Sequence, residues 1–291
     1  MEPEIVADCS CETGEGPLWH PLEQKVYWVD IPAGKLFRWD PVTGQQETCI
    51  GEGGSSGEPI GGFTVQPDGA LLLFMAKGAI RLWHGGSMIP VVPEIPEERD
   101  SRFNDVIADP VGRVFCGTMP SGDRPGRLYR LDTSGALTRV LDDAGLSNGM
   151  AFSPDLTRFF HTDSTRRVIR RFDFDQASGA ISNPSVFAEV PEFDGVPDGL
   201  TVDAEGYLWS ARWDGSCVVR YAPDGVEERR VFFPAKKVSS VTFGGPGYDE
   251  LYATTAGGDR KAEEGAGAGA LFRLRPGVRG KPEFFSRIQA G

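Results

Sequence analysis

The sequence predicts an all-β chain folded as a six-bladed β-propeller with four-stranded blades, a single domain spanning 1–291. Three observations predict it. The 291 residues include 38 Gly and 22 Pro, about a fifth of the chain against a usual total of roughly 12%, so turns are frequent. No amphipathic periodicity runs for ten or more residues, which leaves little room for long helices. Six segments also repeat one pattern, starting at Gly14, Gly61, Phe103, Asn148, Asp198 and Ser240 with spacings of 47, 42, 45, 50 and 42 residues. A unit of about 45 residues with three clear strands and a fourth in the connecting stretch is the size of one blade; a pair of β-sandwiches has no reason to keep that period.

Each unit opens on a small or polar residue, runs through a short apolar strand into a turn, and continues as an alternating strand, a second turn and a third strand. The first, 14–44, shows the alternation in Lys25–Asp30. The second, 61–83, turns at Pro67-Asp68-Gly69. The third, 103–135, turns at Asp109-Pro110-Val111-Gly112, and the fourth, 148–179, at Ser153-Pro154-Asp155, with Val186–Val190 as its fourth strand. The fifth, 198–225, turns at Asp203-Ala204-Glu205-Gly206 and Pro223-Asp224-Gly225, alternates over Tyr207–Ala211, and has Glu228–Phe232 as its fourth strand. The sixth starts at Ser240 and ends near Gly277. Asp bonding its own backbone and Gly at positive φ are what these hairpins need.

Composition excludes several functions. Hydrophobic residues at 40% and charged residues at 25% suit a globular protein. With 30 Lys and Arg against 42 Asp and Glu, the net charge of −12 repels phosphate backbones, so no nucleic-acid partner is expected. The longest apolar stretches, such as Ala70–Ala76, are strand-sized and far short of the roughly 20 residues of a membrane helix. Met1-Glu2-Pro3-Glu4 lacks the basic and apolar regions of a signal peptide. The five cysteines (Cys9, Cys11, Cys49, Cys116, Cys217) have unrelated spacings that suit reduced thiols. A cytoplasmic location is expected, and the oligomeric state is left open.

In a propeller the first strand of each blade lines the central channel, and its first residues face the mouth where ligands bind. Across the six units that position holds Glu15, Gly61/Gly62, Asn104, Asn148, Asp198 and Ser240. Glu15, Asn104, Asn148 and Asp198 are hard oxygen donors brought to one axis from separate blades, a set that suits a divalent cation. Two carboxylates on a narrow axis repel, and a cation relieves them. The same Asn-Gly, Asn-Asp and Asp-Gly pairs also begin turns, and spacing alone leaves both readings open. Arg102, two residues before Asn104, projects from the same rim, as a substrate clamp or as a solvated charge.

Three other signals fail on context. Gly53-Gly54-Ser55-Ser56-Gly57 matches a nucleophile-elbow string with no helix to follow, and is expected to be a lid or linker. Gly265–Ala270 matches a dinucleotide string with too few residues left for a βαβ unit. His20, His84 and His161 have no partners at triad or zinc spacing and are expected to be structural.

Several motifs in order resemble the SMP-30/gluconolactonase/LRE family of regucalcin-like sugar lactonases. They are Gly14-Glu15-Gly16-Pro17-Leu18-Trp19, Ser101-Arg102-Phe103-Asn104-Asp105, Gly117-Thr118-Met119, Leu146–Asp155, Pro197-Asp198-Gly199 and Phe243-Gly244-Gly245, together spanning nearly the whole chain. The resemblance implies one catalytic divalent metal, Ca, Zn, Mn, Mg or Fe(II), held by Glu15, Asn148 and Asp198, with Arg102 and Asn104 contacting a small-molecule sugar lactone. It also implies metal-dependent hydrolysis of an aldono-lactone to the aldonic acid, the metal polarising the carbonyl and Asp198 assisting water as catalytic base. One departure stands out. Some animal members follow Gly-Thr-Met with an acidic residue that reaches the sugar, whereas Met119 here leads into Pro120-Ser121-Gly122-Asp123, so their sugar preference does not transfer. The alternatives are a non-catalytic calcium-binding propeller and a related metal-dependent esterase or organophosphate hydrolase. Specificity is expected from the Gly-rich loops 51–62 and 257–269.

Overall fold

The computed structural model describes residues 2–51 and 57–289; residues 52–56 of the loop 51–62, with all but Gly57 of the nucleophile-elbow string, lie outside the described residues. Among the described residues twenty-four strands form six four-stranded antiparallel sheets. After β1 (Glu4–Asp8), the first blade holds β2 (Gly14–His20), β3 (Lys25–Asp30), β4 (Lys35–Trp39) and β5 (Gln46–Ile50). The second holds β6 (Ile60–Val65), β7 (Leu71–Met75), β8 (Ile80–His84) and β9 (Ser87–Val92). The third holds β10 (Phe103–Ala108), β11 (Val114–Thr118), β12 (Gly126–Leu131) and β13 (Leu137–Gly145), and the fourth β14 (Ser147–Phe152), β15 (Arg158–Asp163), β16 (Val168–Asp175) and β17 (Ala180–Glu189). The fifth holds β18 (Val196–Val202), β19 (Leu208–Trp213), β20 (Cys217–Tyr221) and β21 (Glu227–Phe232). The sixth combines β22 (Val238–Gly244), β23 (Glu250–Thr255) and β24 (Ala270–Leu274) with β1 as its outer strand. The six predicted units are therefore six blades, and the ring is closed by the first strand of the chain pairing with the last.

The predicted turn chemistry is realised. Asp109 Oδ1 accepts the N–H groups of Val111, Gly112 and Arg113, and Asp203 Oδ1 those of Glu205 and Tyr207. The alternation expected over Lys25–Asp30 gives way to burial on both faces, because each blade is packed between two others. Tyr27 and Val29 of the first blade pack with Phe63, Leu71 and Leu73 of the second. Trp209 and Val218 of the fifth pack likewise with Val241 and Leu251 of the sixth. Among the described residues the sole α-helix is α1 (Lys261–Glu264), within the Gly-rich segment 257–269. The end of the dinucleotide-like string enters β24. All five cysteines are free, and among the described residues no helix is long and apolar enough to cross a membrane.

Every innermost strand carries a register shift near its start. Glu15 faces Val29 and Leu18 faces Tyr27, so three residues advance against two; the same occurs over Phe103–Val106, Ser147–Met150 and Pro197–Leu200. Ile60–Gly62 and Val238–Ser240 advance two against one. A β-bulge re-aims side chains that strict alternation would send to opposite faces. The Asn-Gly, Asn-Asp and Asp-Gly pairs that could have begun turns lie in these bulges, within strands.

Gly149 and Gly199 meet a second demand of the bulge. A Cβ on Gly149 would lie 2.7 Å from the Asp198 carbonyl oxygen, and one on Gly199 would lie 2.7 Å from Ser240 Cα. Inner strands of adjacent blades approach too closely there for any side chain.

The far end of the channel is crossed by the C-terminal segment. Arg279 O accepts from Ala204 N, Lys281 Nζ donates to Phe152 O at 3.0 Å, Ser286 N donates to Val65 O and Arg287 N to Gly112 O. These partners lie at or beyond the far ends of β6, β10, β14 and β18, so access is from the mouth where those strands begin.

Candidate active site at the channel mouth

Two cavities lie on the axis. A cavity of about 70 Å³ within the channel is lined by Gly62, Thr64, Asp105, Ser240, Thr242 and Glu283, among others. A larger one of about 340 Å³ opens at the mouth and gathers Glu15, Arg102, Asn104, Asn148 and Asp198 from the first, third, fourth and fifth blades. Glu15, Arg102, Asn104, Asn148 and Asp198 all line this one cavity, while Gly62 and Ser240, the members of the same strand position with neither carboxylate nor amide side chain, face the inner one.

Each polar side chain is fixed by its neighbours. Asn148 Nδ2 donates to Ser164 Oγ at 3.1 Å, and Ser164 Oγ donates to Pro197 O at 2.7 Å. With its NH₂ committed, Asn148 turns Oδ1 inward, and that oxygen is buried without a hydrogen-bond partner. Asp198 Oδ1 is buried and unpartnered as well. Glu15 Oε2 accepts from Gly16 N at 3.0 Å. Asn104 behaves differently from the other three oxygen donors: its Oδ1 accepts from Arg102 Nη1 at 2.7 Å and its Nδ2 donates to Ser147 O at 3.0 Å. Arg102 Nη1 also donates to Phe103 O, so Arg102 and Asn104 form one locked unit.

The electrostatics are those of crowded buried acids. Burial raises Glu15 well above the usual carboxylate range, and Asp198 and Asp105 add to it. Burial raises Asp198 likewise, with Asp105 contributing. Asp105 itself is pushed up to about 7 by burial, against the pull of Arg102. Burial lowers the Arg102 guanidinium, while Glu15, Asp105 and Asp198 act to keep it charged. Three carboxyls around one guanidinium leave negative charge uncompensated, and buried oxygens without donors are costly. Both strains are relieved by a cation taking oxygen ligands. Among the described residues no three Asp, Glu, His or Cys side chains form a ready cage; the set consists of two carboxylates and an amide, the chemistry of a hard divalent ion with open positions.

Sequence reasoning passed over Asp105, although it stands in the Arg102–Asp105 motif beside Asn104. Strand alternation puts adjacent residues on opposite faces, and only the bulge over Phe103–Val106 brings both to the axis. Two of the three histidines hold structural hydrogen bonds, and the third lies at the surface. His20 Nε2 bonds Gly69 O, its Nδ1 accepts from Glu23 N, His161 Nε2 bonds Ser147 Oγ, and His84 is exposed at the end of β8.

Known proteins share this architecture along the whole chain. The family model described as SMP-30/Gluconolactonase/LRE-like region matches residues 13–257. The chain is 47% identical over 293 residues to pentonolactonase XacC of Haloferax volcanii, covering 98% of each, and 34% identical to regucalcin of Danio rerio, covering 94% of each. A solved structure of luciferin-regenerating enzyme superposes with a TM-score of 0.86 at 27% identity over 99% of both chains. A ring of six blades with this acidic mouth, matched by the family model over most of its length, places the chain in the SMP-30/gluconolactonase/LRE-like family.

Proposed function

We propose that this protein hydrolyses a sugar aldono-lactone to the open-chain aldonic acid at the channel mouth, with a divalent cation held by Glu15, Asn148 and Asp198. The observation that carries the reading is the pair of buried, unpartnered oxygens, Asn148 Oδ1 and Asp198 Oδ1, in a cavity that also presents the Arg102 guanidinium. A volume of about 340 Å³ lies at the small end of the roughly 300–1,000 Å³ of small-molecule sites, which suits one monosaccharide ring. The 47% identical relative is named a pentonolactonase, which favours a five-carbon substrate.

A bound divalent cation supplies Lewis-acid polarisation of an ester carbonyl. The chain supplies the rest. Asp198 receives the proton of the attacking water on a carboxylate oxygen, having no protein donor on Oδ1 to compete for it. Water oxygen bonds to the carbonyl carbon, the ring C–O bond breaks, and the proton passes to the departing ring oxygen, giving a hydroxyl and a carboxylic acid. Arg102, immobilised through Asn104, holds the hydroxyl side of the ring, so the carbonyl presents to the acidic floor. Ser164 keeps Asn148 oriented throughout.

The test is acid release from a panel of five- and six-carbon aldonolactones, measured by pH-stat with each divalent cation added to chelator-treated protein. Turnover of at least one aldonolactone, restored by a cation, is expected. Faster turnover of chromogenic esters or organophosphates than of any lactone would reassign the site to another ester hydrolase. Cation binding without turnover of any ester would make it a binding propeller.

A further inference from the structure

The mouth cavity has a polar floor and an apolar collar. The collar residues stand nearer the opening than the floor residues: Leu146 and Val196 each lie two positions before Asn148 and Asp198, and Ile31, Met119 and Trp213 lie at or just past the outer ends of β3, β11 and β19. Among the described residues Trp213 is the sole aromatic one lining the cavity, half-buried, and paired in register with Val196. Glu15 and Asp198 are the sole carboxylates among the described residues lining the cavity, and both belong to the floor. Among the described residues the collar presents no acid to sugar hydroxyls, and Met119 adds a flexible apolar surface.

One face of the Trp213 ring carries a cation. Lys237 Nζ lies 5.7 Å from its centroid, over the ring. Lys237 is paired with Glu264 at 2.5 Å and with Asp214, the residue after Trp213, at 3.2 Å. Glu264 is the last residue of α1 in the segment 257–269. The backbone ties the same parts together, since Lys236 N donates to Glu264 O and Ala256 N to Lys237 O. The Gly-rich segment thus acts on the mouth through Lys237 and Trp213.

We infer that Trp213 is a specificity-determining platform on which the C–H face of the sugar ring stacks, with the Lys237–Glu264 pair fixing its orientation. This rests on the lactone reading above and adds the wall that recognises the sugar. The chemistry is that of a ring quadrupole: the face of an indole is negative, and the C–H groups of a polyhydroxylated ring, polarised by neighbouring oxygens, are positive. The Lys237 ammonium takes the same attraction on the ring and pins a side chain that would otherwise rotate at the mouth. With Arg102 below and Trp213 above, a flat five-membered ring is clamped on two sides.

The experiment compares steady-state kinetics of the parent and of Trp213→Leu, Trp213→Phe, Lys237→Met and Glu264→Gln, all loaded with the same cation. The substrates are a five-carbon aldonolactone and γ-butyrolactone, which has no hydroxyl groups. Trp213→Leu is expected to raise KM for the aldonolactone about three- to tenfold with kcat within about twofold. Trp213→Phe is expected to restore most of that loss, and Lys237→Met and Glu264→Gln to raise KM about two- to fourfold. KM for γ-butyrolactone is expected to stay within about twofold throughout. Quenching of tryptophan fluorescence by a five-carbon aldonolactam, a non-hydrolysed isostere, is expected in the parent and lost in Trp213→Phe. An unchanged aldonolactone KM in Trp213→Leu, or an equal rise for both substrates, would overturn the inference. If Trp213→Leu does not fold, an unchanged KM in Lys237→Met overturns it instead. A parent inert on every lactone overturns the underlying reading, and the platform with it.

Discussion

Asn148 and Asp198, on inner strands of neighbouring blades, are joined through one hydroxyl: Ser164 Oγ accepts from Asn148 Nδ2 at 3.1 Å and donates at 2.7 Å to the carbonyl of Pro197, the residue before Asp198. Ser164 comes from the loop after β15 and touches neither unpartnered oxygen, yet it fixes which end of the Asn148 amide faces the cavity. Supporting hydrogen bonds of this kind set ligand orientation, and their loss typically costs about 10–100-fold in metal affinity. Ser164→Ala is therefore expected to weaken divalent-cation binding at least about tenfold by isothermal titration, and to lower the stability of the cation-free protein by about 1–3 kcal/mol because Asn148 Nδ2 and Pro197 O lose their buried partner. Unchanged affinity would remove Ser164 from the site.

Adding one carbon at the closest approach of the inner strands is expected to be expensive. Gly149→Ala and Gly199→Ala each place a methyl against the next blade's backbone, an overpacking worth about 1–3 kcal/mol. A fall of several degrees in the melting midpoint is expected for each. Gly247→Ala, where the nearest atom is the flexible Asp249 carboxylate, is expected to cost less than half as much. Equal melting of all three would mean that the bulges tolerate wider strand spacing than the structure shows.

These glycines also show what the sequence could and could not display. The repeat was legible because small or polar residues recur near the start of each inner strand at nearly constant spacing, and the Asp and Gly turns that follow are local signals. Four of the six inner-strand positions stood out as oxygen donors for the same reason. The bulges were not legible, since a register shift depends on the partner strand, and without it Asp105 reads as facing away from Asn104. The strand β1 was equally hidden: it has no hairpin partner, and it pairs with β24, whose residues lie over 260 positions later. The pairing of Asn104 with Arg102, which occupies its amide oxygen, is a matter of side-chain geometry that spacing does not encode.

Ring closure by β1 yields its own prediction. Glu4 pairs with Arg273 at 2.6 Å and Asp8 with Lys261 at 2.5 Å, and the strand covers one edge of β24. Deleting residues 1–8 exposes that edge and the sixth blade's core beneath Ala7. The truncated chain is expected to melt lower and to aggregate, as uncovered edges do. Size-exclusion profiles before and after mild heating check this, and a monomer with parental stability would contradict it.

Acid stability tests the buried imidazole. His161 is 1% exposed, and burial lowers it from 6.5 to about 3, with Arg170 contributing. Protonation therefore favours the unfolded chain. The group costs no stability above pH 6.5, and stability falls as pH drops from there toward 3, by about 1.4 kcal/mol per pH unit. His161→Gln removes this titration, so the parent is expected to lose about 2 kcal/mol more than the variant between pH 7 and pH 5 in urea unfolding. Parallel losses would show that His161 titrates normally.

The central claim is that Glu15, Asn148 and Asp198 hold a divalent cation that the hydrolysis requires, with Asp198 also serving as base. The most direct measurement is acid release from a five-carbon aldonolactone by chelator-treated parent and Asp198→Asn proteins, before and after a divalent cation is returned, with binding followed calorimetrically in the same samples. The account predicts an inert stripped parent, turnover restored by the cation, and a variant at least about 100-fold slower even at cation concentrations that saturate it. Full turnover by the stripped parent, or by cation-loaded Asp198→Asn, would contradict it.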